Sequence, residues 1–251
     1  MTDTQNTNVN WEEYASVLYD HLCLLTPYQE YLNDVVHAAE IQNQSVVLDA
    51  GCGTGNLTQK LVNSSAVSVC GIDYSHAMLR RAKQKCASGD FKHANLQEKL
   101  PFPDDSYTTI VCGNVLYAVN HPELLLRELW RVIAPCGRLV LATPKKGYEN
   151  GLILKAHCRD TGTDAPWLNT HTSPEREQEL IYKTFDDQKL IEVFCEIAVH
   201  NRTISKSRAT HLYEPQELED FLHYCGFTDI KIGFTYAQQN LLATAVKGPL
   251  S

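Results

Sequence analysis

Apolar residues along this chain gather into short continuous runs separated by stretches of helical spacing. Val46-Val47-Leu48 is such a run, and it stops at Asp49 and a cluster of glycines, as a buried strand does on entering a loop. The same reading predicts strands over 67–72, closing at Asp73, over 91–94, over 108–112 after the turn-forming Pro103-Asp104-Asp105-Ser106, and over 138–143. Between them the apolar positions follow the helical period at 56–63, 76–85 and 122–134. The last carries Leu125, Leu129, Val132 and Ile133 on one face and Pro122 in its first turn, with Pro135-Cys136-Gly137 ending it. Strands alternating with helices at this spacing predict an α/β fold, a parallel sheet covered by helices on both faces.

The ends and one long interval depart from that rhythm. Residues 1–10 are polar and read as a tail, and 11–44 as a helical cap of two helices, with Thr26 as an N-cap and Pro27 at the first helical position. From 147 to 211 no strand pattern is visible. One long helix is expected there over 174–199, its stripe running through Leu180, Ile181, Phe185, Ile191, Phe194 and Ala198, either as packing or as a lid over a substrate. Helix 215–224 follows, with Gly226 as its C-cap, then strands near 228–235 and 240–246. The expectation is one domain over 11–251 with an insertion after the fifth strand.

Composition narrows the partners. A net charge of -8 argues against a nucleic-acid surface, and the one basic group, Arg202, Lys206 and Arg208, reads as a solvated face. No stretch approaches the roughly 20 apolar residues that span a bilayer, and the polar N-terminus lacks the order of a secretory signal. Nine cysteines, an odd number with no Cys-x-x-Cys pair, fit reduced thiols in a cytoplasmic protein better than disulfides or a zinc site, so no metal is expected.

Chemistry concentrates at Asp49-Ala50-Gly51-Cys52-Gly53-Thr54-Gly55. Glycines between a strand and a helix N-terminus let backbone N–H groups approach a ligand. About 20 residues on, a second strand ends in Asp73, whose carboxylate can accept hydrogen bonds from both hydroxyls of a ribose. In the dinucleotide fingerprint a third glycine falls three residues after the second; here that position is Asn56. The acid at 49 would repel a pyrophosphate but help a ligand carrying an ammonium group and no phosphate. S-adenosylmethionine, with a ribose, an ammonium, a carboxylate and a sulfonium, answers that description.

These residues resemble the class I S-adenosylmethionine-dependent methyltransferases, and most closely the small-molecule branch that includes the ubiquinone and menaquinone biosynthesis enzymes. Leu48 to Gly55 is similar to the first motif of that family, Gly71-Ile72-Asp73-Tyr74-Ser75 with Met78-Leu79 to its second strand and helix. Leu100-Pro101-Phe102 with Asp104-Asp105-Ser106 is similar to the approach to strand four, and Arg131 to Leu139 to the corner before strand five. The resemblance implies a Rossmann-like three-layer sandwich with a seven-stranded sheet whose last strand runs antiparallel. It also implies roles: Gly51, Gly53 and Gly55, with Cys52 among them, around the methionine and ribose portions; Asp73 at the ribose hydroxyls; Tyr74 and Met78 flanking adenine. Asn95 and Leu96 would lie near the adenine amine, and Asn114 at the sulfonium end. Tyr14 and Tyr19 lie in an N-terminal helix that closes over the donor in this family. Thr108 and Cys136 depart from the family pattern and read as packing changes.

Methyl transfer is an in-line displacement from a reactive sulfonium, so the enzyme chiefly aligns an acceptor lone pair and excludes water. No fixed catalytic residue follows from the fold. Tyr117 and His121, after strand four, and His171, beside Trp167 in the insertion, are the candidates for handling an acceptor proton, with His211 as an alternative. The expected acceptor is a small molecule. The other readings are a protein or RNA methyltransferase of the same fold, a donor-binding subunit without catalysis, and a nucleotide-dependent oxidoreductase.

Overall fold

The computed structural model describes residues 18–64, 68–160, 173–206 and 211–249. Tyr14, Trp167, His171 and Arg208 lie outside the described residues, as does the expected tail. Seven strands form one sheet: β1 Val46–Ala50, β2 Ser68–Asp73, β3 Asp90–His93, β4 Tyr107–Gly113, β5 Ile133–Pro144, β6 Phe227–Thr235 and β7 Asn240–Lys247. Their order is β3-β2-β1-β4-β5-β7-β6, with β7 antiparallel to both its neighbours and the pairings among β1 to β5 all parallel. This is the Rossmann-like arrangement.

Side chains alternate faces along a strand, and here the alternation divides two cores. Val47, Val111 and Val140 point to one face, where they meet a 3₁₀ turn Tyr19–Leu24, α1 Thr26–Ala38, α2 Asn56–Ser64, and the insertion. Leu48, Ile110, Leu139 and Leu141 point to the other, against α4 Pro122–Val132 and α8 Pro215–Tyr224. Helix α3, His76–Lys85, packs Leu79 and Ala82 against Cys52 and Phe91. All nine cysteines are free, and no helix among the described residues is long and apolar enough to cross a membrane.

The insertion differs from the expected single helix. It contains α5 Asn150–Asp160, α6 Pro174–Thr184 and α7 Gln188–Lys206. The chain leaves the helix at Phe185, and Asp187 starts the next by accepting from the N–H groups of Lys189 and Leu190 at 2.8 and 3.1 Å. A short acid that bonds nearby backbone competes with helix continuation, so the split falls at Asp186-Asp187. At α1 the N-cap is Leu25 rather than Thr26. The Thr26 N–H instead donates to His157 Nδ1 of α5 at 3.1 Å, so a residue of the insertion satisfies the helix start. Strand β5 begins earlier than expected, at Ile133, because that residue pairs with Tyr107. The C-cap of α8 is Cys225, and Gly226 follows it at φ +97°.

Candidate functional site

Strand order reverses between β1 and β4, one leading to β2 and the other to β5, and a crevice opens beyond their carboxyl ends. It is a cavity of about 390 Å³. Its floor comes from the turn after β1 and from Gly113-Asn114-Val115 after β4; its walls come from Tyr74, Met78 and Asn95-Leu96-Gln97 on one side and Tyr117, Tyr148, Asn150 and Asn201 on the other. Tyr19, Leu22 and Tyr28 of the N-terminal segment and Tyr236 of the β6–β7 hairpin complete it.

The turn after β1 is folded over the end of β2. Gly51 and Cys52 donate their N–H groups to the Ile72 carbonyl at 2.8 and 2.9 Å, and Gly53 donates to Asp73 Oδ2 at 2.9 Å. Ser75 N–H donates to Asp73 Oδ1, also at 2.9 Å, and the Ser75 hydroxyl accepts from Met78 N–H, which sets Met78 at the cavity wall. Asp73 is thus fixed by backbone donors, and the roughly four lone-pair positions of its carboxylate outnumber them, which leaves it able to accept from a ligand. Burial raises its carboxyl above the ordinary range against the lowering effect of the Ser75, Gly53 and Tyr74 N–H groups. Gly51 has φ +82°, and a Cβ there would lie 2.2 Å from Val115 Cγ2. Gly55 faces away from the cavity, onto Ala82 and Phe91, and Cys52 packs in the same cluster; both shape the turn without lining the space.

Asp49 does not line the cavity either. It is buried beneath the turn, accepts from the Thr58 hydroxyl at 2.6 Å, and is pushed up to about 7, chiefly by burial, with the charge of Asp73 adding to the rise. Its folded value exceeds the unfolded 3.8, so its ionisation makes folding progressively less favourable as pH rises from 3.8 to about 7, with a constant cost above. Asp49→Asn is therefore expected to be the more stable protein above pH 7, by about 1–4 kcal/mol, the gap closing as pH falls towards the unfolded value. Urea unfolding across that range checks this; a gap that widens towards acid contradicts it.

The N-terminal segment is anchored to the turn through Asp20. Its Oδ1 accepts from Lys85 Nζ and the Thr54 hydroxyl, both at 2.5 Å, and its Oδ2 from Arg81 at 3.2 Å. Burial pushes the Asp20 carboxyl up, yet Lys85, Thr54 and Arg81 together outweigh it and hold it below its ordinary value. That anchor brings Tyr19 over the cavity, beside Tyr28, which also contacts Tyr31 and Tyr236. Burial pushes the Tyr19 phenol up to about 12, so it stays protonated near neutrality.

Several sequence candidates need correction. His121 is the exposed N-cap residue of α4 and does not line the cavity; His211 does not line it either, and no histidine does among the described residues. Asn95 lines it, but its NH₂ donates to Glu98 and its carbonyl already accepts from Gln97 N–H, which leaves one lone pair. Asn114 lines it at φ +58°, its carbonyl accepting from Asn240 Nδ2 at 2.7 Å. Tyr19, Gly51, Gly53, Asp73, Tyr74, Met78, Leu96 and Tyr117 also line it. Sequence reasoning missed Tyr28, Tyr148, Asn150, Asn201, Tyr236 and Asn240. They come from four distant segments, and none sits in a local pattern that marks a site. Among the described residues, no group of three or more His, Cys, Asp or Glu is arranged to hold a metal.

A family profile described as a methyltransferase domain matches residues 48–141. The chain is 32% identical over 124 residues to a trans-aconitate 2-methyltransferase of Paracidovorax citrulli, covering 49% of this chain and 46% of that protein. It is 34% identical over 109 residues to the ubiquinone/menaquinone biosynthesis C-methyltransferase UbiE of Geotalea daltonii, covering 39% and 46%. The chain thus spans about half the length of these relatives. Among solved structures, an S-adenosylmethionine-dependent methyltransferase of Thermotoga maritima, described as a possible histamine N-methyltransferase, superposes with a TM-score of 0.58 at 14% identity, over 94% of this chain and 98% of that one.

Proposed function

From the premise that this chain belongs to the class I S-adenosylmethionine-dependent methyltransferases, whose domain profile matches its residues 48–141, we propose that it transfers a methyl group to a nitrogen, oxygen or carbon atom of a small molecule. The observation that carries this reading is the charge of the cavity. The carboxylate of Asp73 lines it, and no Lys or Arg does among the described residues. Such a site repels a pyrophosphate and suits a ligand bearing a sulfonium and an ammonium. The residues present therefore fit the methyl donor.

Bound S-adenosylmethionine supplies an activated methyl group on a positively charged sulfur. The remaining work falls to the chain. Asp73 accepts from the ribose hydroxyls with the capacity that the Gly53, Ser75 and Tyr74 N–H groups leave open, and Tyr74 and Met78 border the space for the base. Tyr19 and Tyr28 cover the site and exclude water. At the far end Tyr117, Tyr148 and Asn150 face the acceptor. The Tyr148 phenol is pushed up to about 12, mainly by burial and then by Glu177, so it holds its proton and does not serve as a base near neutrality. The acceptor then brings its own lone pair, and alignment supplies the rate.

Because the insertion helices wall this end, the space suits a small acceptor better than a protein or RNA segment. Calorimetric titration with S-adenosylmethionine, S-adenosylhomocysteine and NAD⁺ tests the reading. Saturable binding of the first two alone is expected, and binding of NAD⁺ in their place overturns it.

A further inference from the structure

The insertion carries a chain of polar side chains that runs in one direction. Arg202 of α7 pairs with Glu177 of α6, whose side chain is only 5% exposed, and Asn150 at the start of α5 donates its Nδ2 to the same carboxylate. Asn150 Oδ1 in turn accepts from Asn201 Nδ2 of α7 at 2.9 Å. The Tyr148 hydroxyl donates to the Asn201 backbone carbonyl at 3.4 Å, and Tyr148, Asn150 and Asn201 all line the cavity.

An isolated asparagine can present either end of its amide to a ligand, since the two are nearly equal in shape. Here the carboxylate removes the choice. Burial raises the Glu177 carboxyl, but both of its oxygens face donors, Oε2 the Arg202 guanidinium and Oε1 the Asn150 amide, so Asn150 gives its NH₂ and is left with its carbonyl towards Asn201. Asn201 must then give its NH₂, and its own carbonyl oxygen is the end left over, without a partner among the described residues.

We infer that Asn201 Oδ1 is the acceptor-recognition point, taking a hydrogen bond from a hydrogen on the very atom that is methylated, so the substrate is a hydroxyl- or amine-bearing molecule and not a carbon or thioether nucleophile. This rests on the methyltransferase reading of the cavity. A hydrogen bond from O–H or N–H to Asn201 fixes rotation about the acceptor atom and turns its lone pair away from α7, towards the donor end. In the transfer that lone pair forms the new bond to the methyl carbon, and the carbon–sulfur pair departs with sulfur. The hydrogen held at Asn201 becomes acidic once the new bond exists and leaves as a proton to solvent as the product departs. An amide does not take the proton, so Asn201 directs without acting as a base. Asn150, Glu177 and Arg202 are positioning residues that act through it.

The experiment uses wild type, Asn201→Leu, Asn201→Ala and Glu177→Gln. Each is titrated with S-adenosylmethionine. Each is then saturated with S-adenosylhomocysteine and titrated with a panel of phenols, catechols and primary and secondary amines, beside their hydrogen-free counterparts (anisoles, tertiary amines, thioethers). The same panel is turned over with isotopically labelled donor. Only hydrogen-bearing members are expected to bind and to gain label, on oxygen or nitrogen. Both Asn201 variants should hold the donor within about twofold while losing about tenfold or more in acceptor affinity and kcat/KM. Glu177→Gln should raise KM more than it lowers kcat. The inference is overturned if either Asn201 variant that binds donor keeps wild-type kcat/KM, if label enters hydrogen-free molecules or carbon, or if no panel member binds in a manner that depends on Asn201. A wild-type protein that fails to bind the donor instead overturns the methyltransferase reading, and this inference with it.

Discussion

Asp73→Ala is expected to weaken S-adenosylmethionine binding by about a hundredfold or more, since hydrogen bonds to a charged group contribute about 1.5–3 kcal/mol each and the ribose offers two. A second loss adds to the first. The carboxylate also holds the N–H groups of Gly53 and Ser75, so its removal frees the turn that shapes the cavity floor. Asp73→Asn separates these effects poorly, because its NH₂ would face one of two N–H donors; it should bind nearer to the alanine variant than to wild type. Calorimetry on folded protein decides the matter. Affinity within about threefold of wild type would remove Asp73 from the ribose and leave it a purely structural residue.

Gly51→Ala should destabilise the fold by about 2–5 kcal/mol, combining a left-handed backbone penalty of about 1–2 kcal/mol with overpacking of about 1–3 kcal/mol. The clash is specific, for the added Cβ would meet Val115 Cγ2 at 2.2 Å. Val115→Ala in the same chain should therefore recover about 1 kcal/mol or more beyond additivity, which a double-mutant cycle in urea reads directly. Gly53 supplies the control. Its φ is +53°, but a Cβ there would meet nothing nearer than Met78 Sδ and Tyr19 Cε1 at 3.9 Å. Gly53→Ala should cost about 1 kcal/mol, the backbone share alone. Equal losses at both positions would show that conformation, and not the Val115 contact, sets the requirement at Gly51.

The sheet was legible in the sequence because parallel strands buried on both faces are continuous apolar runs, and each of these ends at a residue that marks a loop, as Val46-Val47-Leu48 does at Asp49. The donor end was legible for a related reason. Its turn and Asp73 are contiguous with strands β1 and β2, so position along the chain is position in space. The opposite end had no such advantage. Tyr28, Asn201 and Tyr236 reach the cavity through tertiary packing, and nothing in their neighbours distinguishes Asn201 from any polar position on a helix. The expected helix over 174–199 failed instructively. Leu180, Ile181, Phe185, Ile191 and Phe194 all bury in one core, so the apolar stripe runs on across the break, and only Asp186-Asp187 betrays it. His121 follows strand four closely along the chain, but the start of α4 turns it to solvent.

The place of β7 bears on how the protein is made. It sits between β5 and β6 and pairs with β5 from Arg138 to Pro144, yet it follows both in the chain. A nascent polypeptide must therefore emerge for roughly a hundred residues beyond β5, some seconds at about 5–20 residues per second, while Leu139, Val140 and Leu141 belong to a strand whose hydrogen-bonding edge is bare. Ribosomal stalling or premature termination ahead of Asn240 would leave that edge open for good and turn an ordinary translation product into a template for aggregation.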